Sequence, residues 1–153
     1  MLDSYFSRFD KVEYPSHPVS MEPNFTEPKR IESNFPISSD EPTEGKTLLA
    51  VAWKTGSVLN DELMLGLEIL NHMLLLTQGA PLKEAIIKGG IGKDVSSSLD
   101  QDFLEPVFRI RVKGSEPDKI GQLEKTIQEV IIIPFNNHFP HLDIGIFSSQ
   151  WNS

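Results

Sequence analysis

The sequence predicts an α+β domain of two layers, a largely antiparallel sheet with helices on one face. Three observations predict it. Segments with strand-like alternation are interleaved with segments of helical periodicity in the order β-α-α-β-β-α. Gly, Pro and short polar clusters punctuate the boundaries. The chain of 153 residues is long enough to bury a core without staples, and its lack of cysteine leaves no disulfide to supply one.

Residues 1–45 precede that order and differ from it in composition. They hold six of the 11 prolines and nine of the 22 acidic residues against four basic ones, a local net charge of -5. Pro15, Pro18, Pro23, Pro28, Pro36 and Pro42 remove backbone donors and fix φ, which forbids a long helix. The segment reads as an extended, acidic interdomain segment: a linker, or an ordered arm laid along a partner. Phe6, Phe9, Val12, Tyr14, Phe25, Ile31, Phe35 and Ile37 favour the arm, since a solvated linker has no use for so many large apolar side chains.

The α+β domain proper is expected over residues 46–132. Residues 46–55 read as a strand, with Leu48, Ala50, Val51 and Trp53 suited to a pleated, mostly buried surface. Gly56 and Ser57 end it. Asn60 is placed to cap a helix whose first turn carries Asp61 and Glu62, favourable at the positive end of the dipole. That helix is predicted to run to about Thr77. Leu63, Leu67, Leu70 and Leu74 form one stripe, and Ile69, Met73 and Leu76 widen it beyond what a simple surface helix needs. Such a face is expected to meet both its own sheet and a further surface.

Gly79 closes this helix and Pro81 opens the next, with Leu82, Ala85 and Ile86 on its buried side and Gly89-Gly90 as its stop. Two strands are predicted at about Lys93–Ser98 and Leu104–Lys113, with polar turn residues in the Ser96-to-Asp102 stretch. The second strand alternates Val107, Phe108, Ile110 and Val112 with Arg109, Arg111 and Lys113. Ser115 is the expected cap of a third helix, which carries the stripe Ile120, Leu123, Ile127 and Val130–Ile131. Asp143–Phe147 is the candidate for a final strand in a tail over residues 133–153.

Charge and composition exclude several functions. A net charge of -8 and a pI near 4.9 oppose binding to nucleic acid or anionic lipid. The N-terminus lacks a basic region followed by a long apolar run, and the most apolar stretch, Leu63 to Leu76, is too short to span a bilayer. The cytoplasm, or an organelle matrix in a eukaryote, is the expected compartment.

Catalytic constellations are equally sparse. His17, His72, His138 and His141 form no H-E-x-x-H or H-x-x-E-H. His138, His141 and Asp143 are the one metal-like cluster, read as a solvated tail because Pro140 breaks any shared helix. Gly89-Gly90-Ile91-Gly92-Lys93-Asp94 fails as a phosphate loop, since Ile87 and Asp94 stand where Gly and Ser or Thr are required. It reads as a helix cap and turn. Ser96-Ser97-Ser98 lacks a nucleophile elbow. Asp100, Asp102 and Glu105 read as an acidic loop. Arg109 and Arg111 share a strand face, either meeting an anionic ligand or forming the solvent face of an edge strand, the latter favoured.

A longer pattern carries more information. Ala80-Pro81-Leu82-Lys83-Glu84-Ala85-Ile86-Ile87-Lys88-Gly89-Gly90-Ile91-Gly92-Lys93-Asp94-Val95-Ser96 resembles the S-P-L-x-x-A-L-x-x-x-G-L-G-x-D-V-S run of the presequence-protease branch of the pitrilysin/insulinase-type zinc metallopeptidases. Tyr5-Phe6-Ser7-Arg8-Phe9 resembles the segment leading away from that family's catalytic domain. Phe25-Thr26-Glu27-Pro28-Lys29-Arg30 resembles its F-x-E-P-K arm, and Glu105-Pro106-Val107-Phe108-Arg109-Ile110 the strand that follows. The resemblance is collinear over roughly residues 5 to 132. Ala80 and Ser97 depart from it, and the pattern ends after about Ile131.

The resemblance implies four related α+β domains enclosing a peptide-degrading chamber, with the zinc ligands in the first. This chain is similar to the second, which is non-catalytic and helps to wall the chamber. A related motif elsewhere in the family supplies an assisting arginine and tyrosine. The hairpin Gly90-Ile91-Gly92-Lys93-Asp94 has no tyrosine, which agrees with a wall domain. The resemblance therefore assigns this chain no catalytic, cofactor-binding or metal residue and no zinc of its own. It implies a fragment or truncated product, inactive alone, that meets other peptidase domains or a second copy and handles peptides. The alternative is a stand-alone accessory or peptide-binding module that pairs with a catalytic subunit.

Overall fold

The computed structural model describes residues 2–10, 18–23, 25 and 27–132, with Ile132 described by its backbone alone. The tail over 133–153, the candidate strand Asp143–Phe147, and His17, His138, His141, Val12 and Tyr14 lie outside the described residues.

The described residues form an α+β arrangement around a three-stranded antiparallel sheet. A five-residue helix, α1 (Leu2–Phe6), opens the chain ahead of the first proline. Between it and the sheet, the described residues form no further helix or strand. Strand β1 spans Thr47–Lys54. Helix α2 spans Asp61–Asn71 and begins as expected, with Asn60 Oδ1 accepting from the Leu63 N–H at 3.1 Å. It continues into one wide turn, His72–Leu76, closed by the Thr77 N–H on the His72 carbonyl. The wider turn lets the adjacent Leu74 and Leu75 both enter the core.

Helix α3 spans Pro81–Lys88. The Ile91 N–H bonds the Ile86 carbonyl, and the Gly90 N–H bonds the Ile87 carbonyl, with Gly90 at φ +63. This double return is the Schellman ending that the Gly-Gly pair predicts. Ile86 and Ile91, the two residues the motif brings together, are both buried.

Strands β2 (Asp94–Asp100) and β3 (Val107–Ser115) follow. A 3-10 turn at Pro117–Lys119 leads to helix α4 (Ile120–Ile127) and a last wide turn, Gln128–Ile132. The strand order is β1-β3-β2. Leu49 faces Val112, Val51 faces Ile110 and Trp53 faces Phe108 across the β1–β3 ladder. Leu49, Trp53, Phe108, Ile110 and Val112 join Leu67, Leu75, Leu82, Ile86, Leu123, Ile127 and Ile131 from the helices in one core cluster, with Val51 packed against it.

Several expectations change. Leu48 and Ala50 point away from the core, and Leu49, Val51 and Trp53 point in or toward it. The segment is apolar on both faces, so composition leaves its parity open and pairing with β3 decides it. Ser96, Ser97 and Ser98 belong to β2 rather than to a turn, and the turn lies between Asp100 and Val107. Ser115 ends β3 and donates its hydroxyl to the Ile91 carbonyl, so it caps no helix. β3 is the central strand, which overturns the edge-strand reading of Arg109 and Arg111. It sits between two partners because β1, although distant in sequence, pairs along its full length.

Candidate functional site

The outer face of the sheet carries a built cationic row. Cross-strand partners in an antiparallel ladder share a face. Arg111 therefore stands between Ala50 and Ser96, and Arg109 between Ala52 and Ser98. Both arginines are half-buried. Among the described residues neither makes an ion pair. The Ser98 hydroxyl oxygen is buried and has no hydrogen-bond partner.

At the Lys54 end of the sheet the arm is clasped. Lys54 Nζ lies 2.8 Å from Glu105 Oε1 and donates to the Glu22 carbonyl at 2.7 Å. The Glu22 N–H donates to Glu105 Oε2 at 2.8 Å. The Lys54 hydrogen bond and then the Glu22 N–H hold the Glu105 carboxyl below the ordinary glutamate range, against a weaker opposing effect of burial. Further along, Arg30 pairs with Glu124 at 3.0 Å, and the Gly45 N–H donates to Glu116 Oε1 at 2.6 Å. Phe25, Ile31 and Phe35 of the arm stay exposed.

The second helix presents an uncovered apolar stripe. Leu65, Ile69, Met73 and Leu76 are 58%, 52%, 58% and 57% exposed. The i, i+4, i+8 spacing of the first three puts them on one side of the helix. The expected widening by Ile69, Met73 and Leu76 is thus real, and among the described residues more than half of each of these side chains stays uncovered.

The remaining sequence candidates dissolve into structure. Glu105 is occupied by Lys54 and the arm, while Asp102 is exposed. Ser97 donates to Asn71. Gly92 and Gly114 serve close packing against Val112 and Lys93. Among the described residues no group of three or more His, Asp or Glu side chains converges to hold a metal. No helix among them is long and apolar enough to cross a membrane. Sequence reasoning missed the clasp altogether. Its one visible signal was the Glu105-Pro106 pair inside the resemblance.

Comparison with known proteins decides the family. Residues 1–132 match the family described as Peptidase M16 inactive domain. The chain belongs to that family. It is 28% identical over 134 residues to Presequence protease 1, chloroplastic/mitochondrial, of Arabidopsis thaliana, an alignment covering 86% of this chain and 12% of that protein. It is 26% identical over 129 residues to Protein HypA of Clostridium perfringens (strain 13 / Type A), covering 84% of this chain and 13% of that protein. The chain thus spans about an eighth of the length of the curated relatives it matches. The description of the matching family names it as an inactive domain.

Proposed function

We propose that this chain is a wall domain of a zinc metallopeptidase chamber that degrades peptides, with the hydrolytic chemistry carried by another domain. The match of residues 1–132 to an inactive M16 domain carries the reading. The uncovered Leu65–Ile69–Met73 stripe and the exposed aromatic residues of the arm support it, because both are surfaces suited to burial against another domain. The cytoplasm or an organelle matrix is the proposed compartment, in keeping with a chain free of cysteine.

The test is incubation of the purified chain with a quenched fluorescent peptide and added zinc. The expected result is no cleavage above the buffer control. Cleavage that a chelator abolishes would overturn the reading.

A further inference from the structure

We propose that the outer face of the sheet binds an extended peptide segment bearing two acidic side chains two residues apart, held by Arg109 and Arg111. The proposal rests on the reading of this chain as part of a peptide-handling protein, and it adds a ligand preference and the residues that set it.

Arg109 and Arg111 lie on one face of the central strand, about 7 Å apart along it. An extended peptide repeats its side chains at the same distance, so acidic residues at positions i and i+2 match the pair. The flanking side chains are Ala50, Ala52, Ser96 and Ser98, too short to cover a guanidinium. Each guanidinium is permanently charged and offers its donors as a planar fork suited to a carboxylate. Neither finds a carboxylate within the described residues.

Ser98 is the second, independent observation. Its hydroxyl is buried and unpartnered, on the strand position facing Arg109. Buried polar atoms without a partner are rare in folded proteins and call for a reason. A carboxylate seated on Arg109 has lone pairs to spare for that hydroxyl.

The other charges on the face limit the ligand. Asp94 stands opposite Lys113 at one end of the ladder, and Asp100 opposite Val107 at the other. A longer run of acidic residues would meet these carboxylates, so the window takes two acids. The net charge of -8 opposes an acidic peptide over the rest of the surface and confines it to this row.

The experiment is a titration of the full isotope-labelled chain, followed by the NMR signals of the arginine side-chain N–H groups and the β3 amides. The probe is acetyl-Gly-Glu-Thr-Glu-Gly-amide. Controls carry Gln in place of both Glu, or the two Glu side by side. The spaced Glu peptide should bind at least about fivefold more tightly than either control, in line with two exposed-to-half-buried charge pairs. R109Q/R111Q should abolish that preference with its amide spectrum otherwise unchanged. R109K/R111K should retain part of it, because the charge stays and the fork is lost. Should the double Gln variant unfold, R109Q and R111Q alone should each reduce the preference. Equal binding of the Glu and Gln peptides, or shifts confined to residues off this face, would overturn the proposal. Zinc-dependent cleavage by the chain would sink the wall-domain reading while leaving this binding result untouched, so the two fail separately.

Discussion

Gly92 has room for a hydrogen and nothing larger. A Cβ there would lie 2.2 Å from Val112 Cγ1 and 2.9 Å from the Lys113 carbonyl oxygen. That carbonyl already accepts from the Lys93 N–H at 2.8 Å, so the backbone cannot withdraw without losing the bond. Gly92→Ala should cost about 2–3 kcal/mol, as overpacking against fixed neighbours does. Gly90 is the contrast: its φ is +63 but the space around it is open. Gly90→Ala should cost only about 1 kcal/mol, the penalty of the left-handed region alone. Urea midpoints of the two variants check the ranking, and a larger loss at Gly90 would refute it. Ala80 offers the opposite change. It begins α3 without a capping oxygen. Ala80→Ser would give the N–H groups of the first turn an acceptor and should raise stability by about 0.5–1 kcal/mol, read from the same urea curves. An unchanged midpoint would show that the buried site cannot seat the hydroxyl in a capping rotamer.

At the scale of elements, α2 divides its apolar residues between two surfaces. Leu67 faces the core and Leu65, Ile69 and Met73 face outward. Leu67→Ala should cost about 2–4 kcal/mol, because it empties packed space. Leu65→Lys with Met73→Lys should change stability by less than about 1 kcal/mol, because more than half of each side chain is already in water. The same double variant should lower the solution mass at micromolar concentration, where the unmodified chain is expected to self-associate through the stripe. Urea midpoints read the stability and light scattering reads the mass. A unmodified chain that is monomeric throughout would argue against a sticky stripe. The elements also show what the sequence could and could not convey. The Asn60 cap, the Pro81 start and the Gly89-Gly90 stop were legible because each is settled by bonds within a few residues. The alternation of β3 was legible because its arginines and lysine mark one face. Which way Leu48 and Leu49 point, and that β3 is central, were not legible. Both depend on a partner strand about sixty residues away, and β1 is apolar on both sides. Of the candidate site, Arg109 and Arg111 were visible as a same-face pair. The small residues that leave them open, and the orphaned Ser98 hydroxyl, emerge only from the register.

For the molecule as a whole, the question is what holds the acidic arm against the sheet domain. Among the described residues the polar contacts are Glu22 on Lys54 and Glu105, Arg30 on Glu124, and Gly45 on Glu116. The Arg30 pair is largely exposed on the arginine side and is worth little. Lys54 and Glu105, at 15% and 13% side-chain exposure, are the better-covered anchor. Because Glu105 in the fold titrates below its ordinary value near 4.5, it binds its proton more weakly folded than unfolded. Its contribution is therefore fully present above that ordinary value and is lost as the pH falls through the lowered folded value. The arm should stay docked at neutral pH and detach in acid. The Glu22 amide reports this directly, since its N–H donates to the carboxylate that titrates. Its proton shift should move with a midpoint below 4.5 in the unmodified chain and show no such titration in Glu105→Gln. The Gly45 amide, held by Glu116 instead, should respond independently of that substitution. A Glu22 midpoint at or above the ordinary glutamate value would mean that Lys54 does not hold the carboxylate charged, and that the arm is fastened by something other than this clasp.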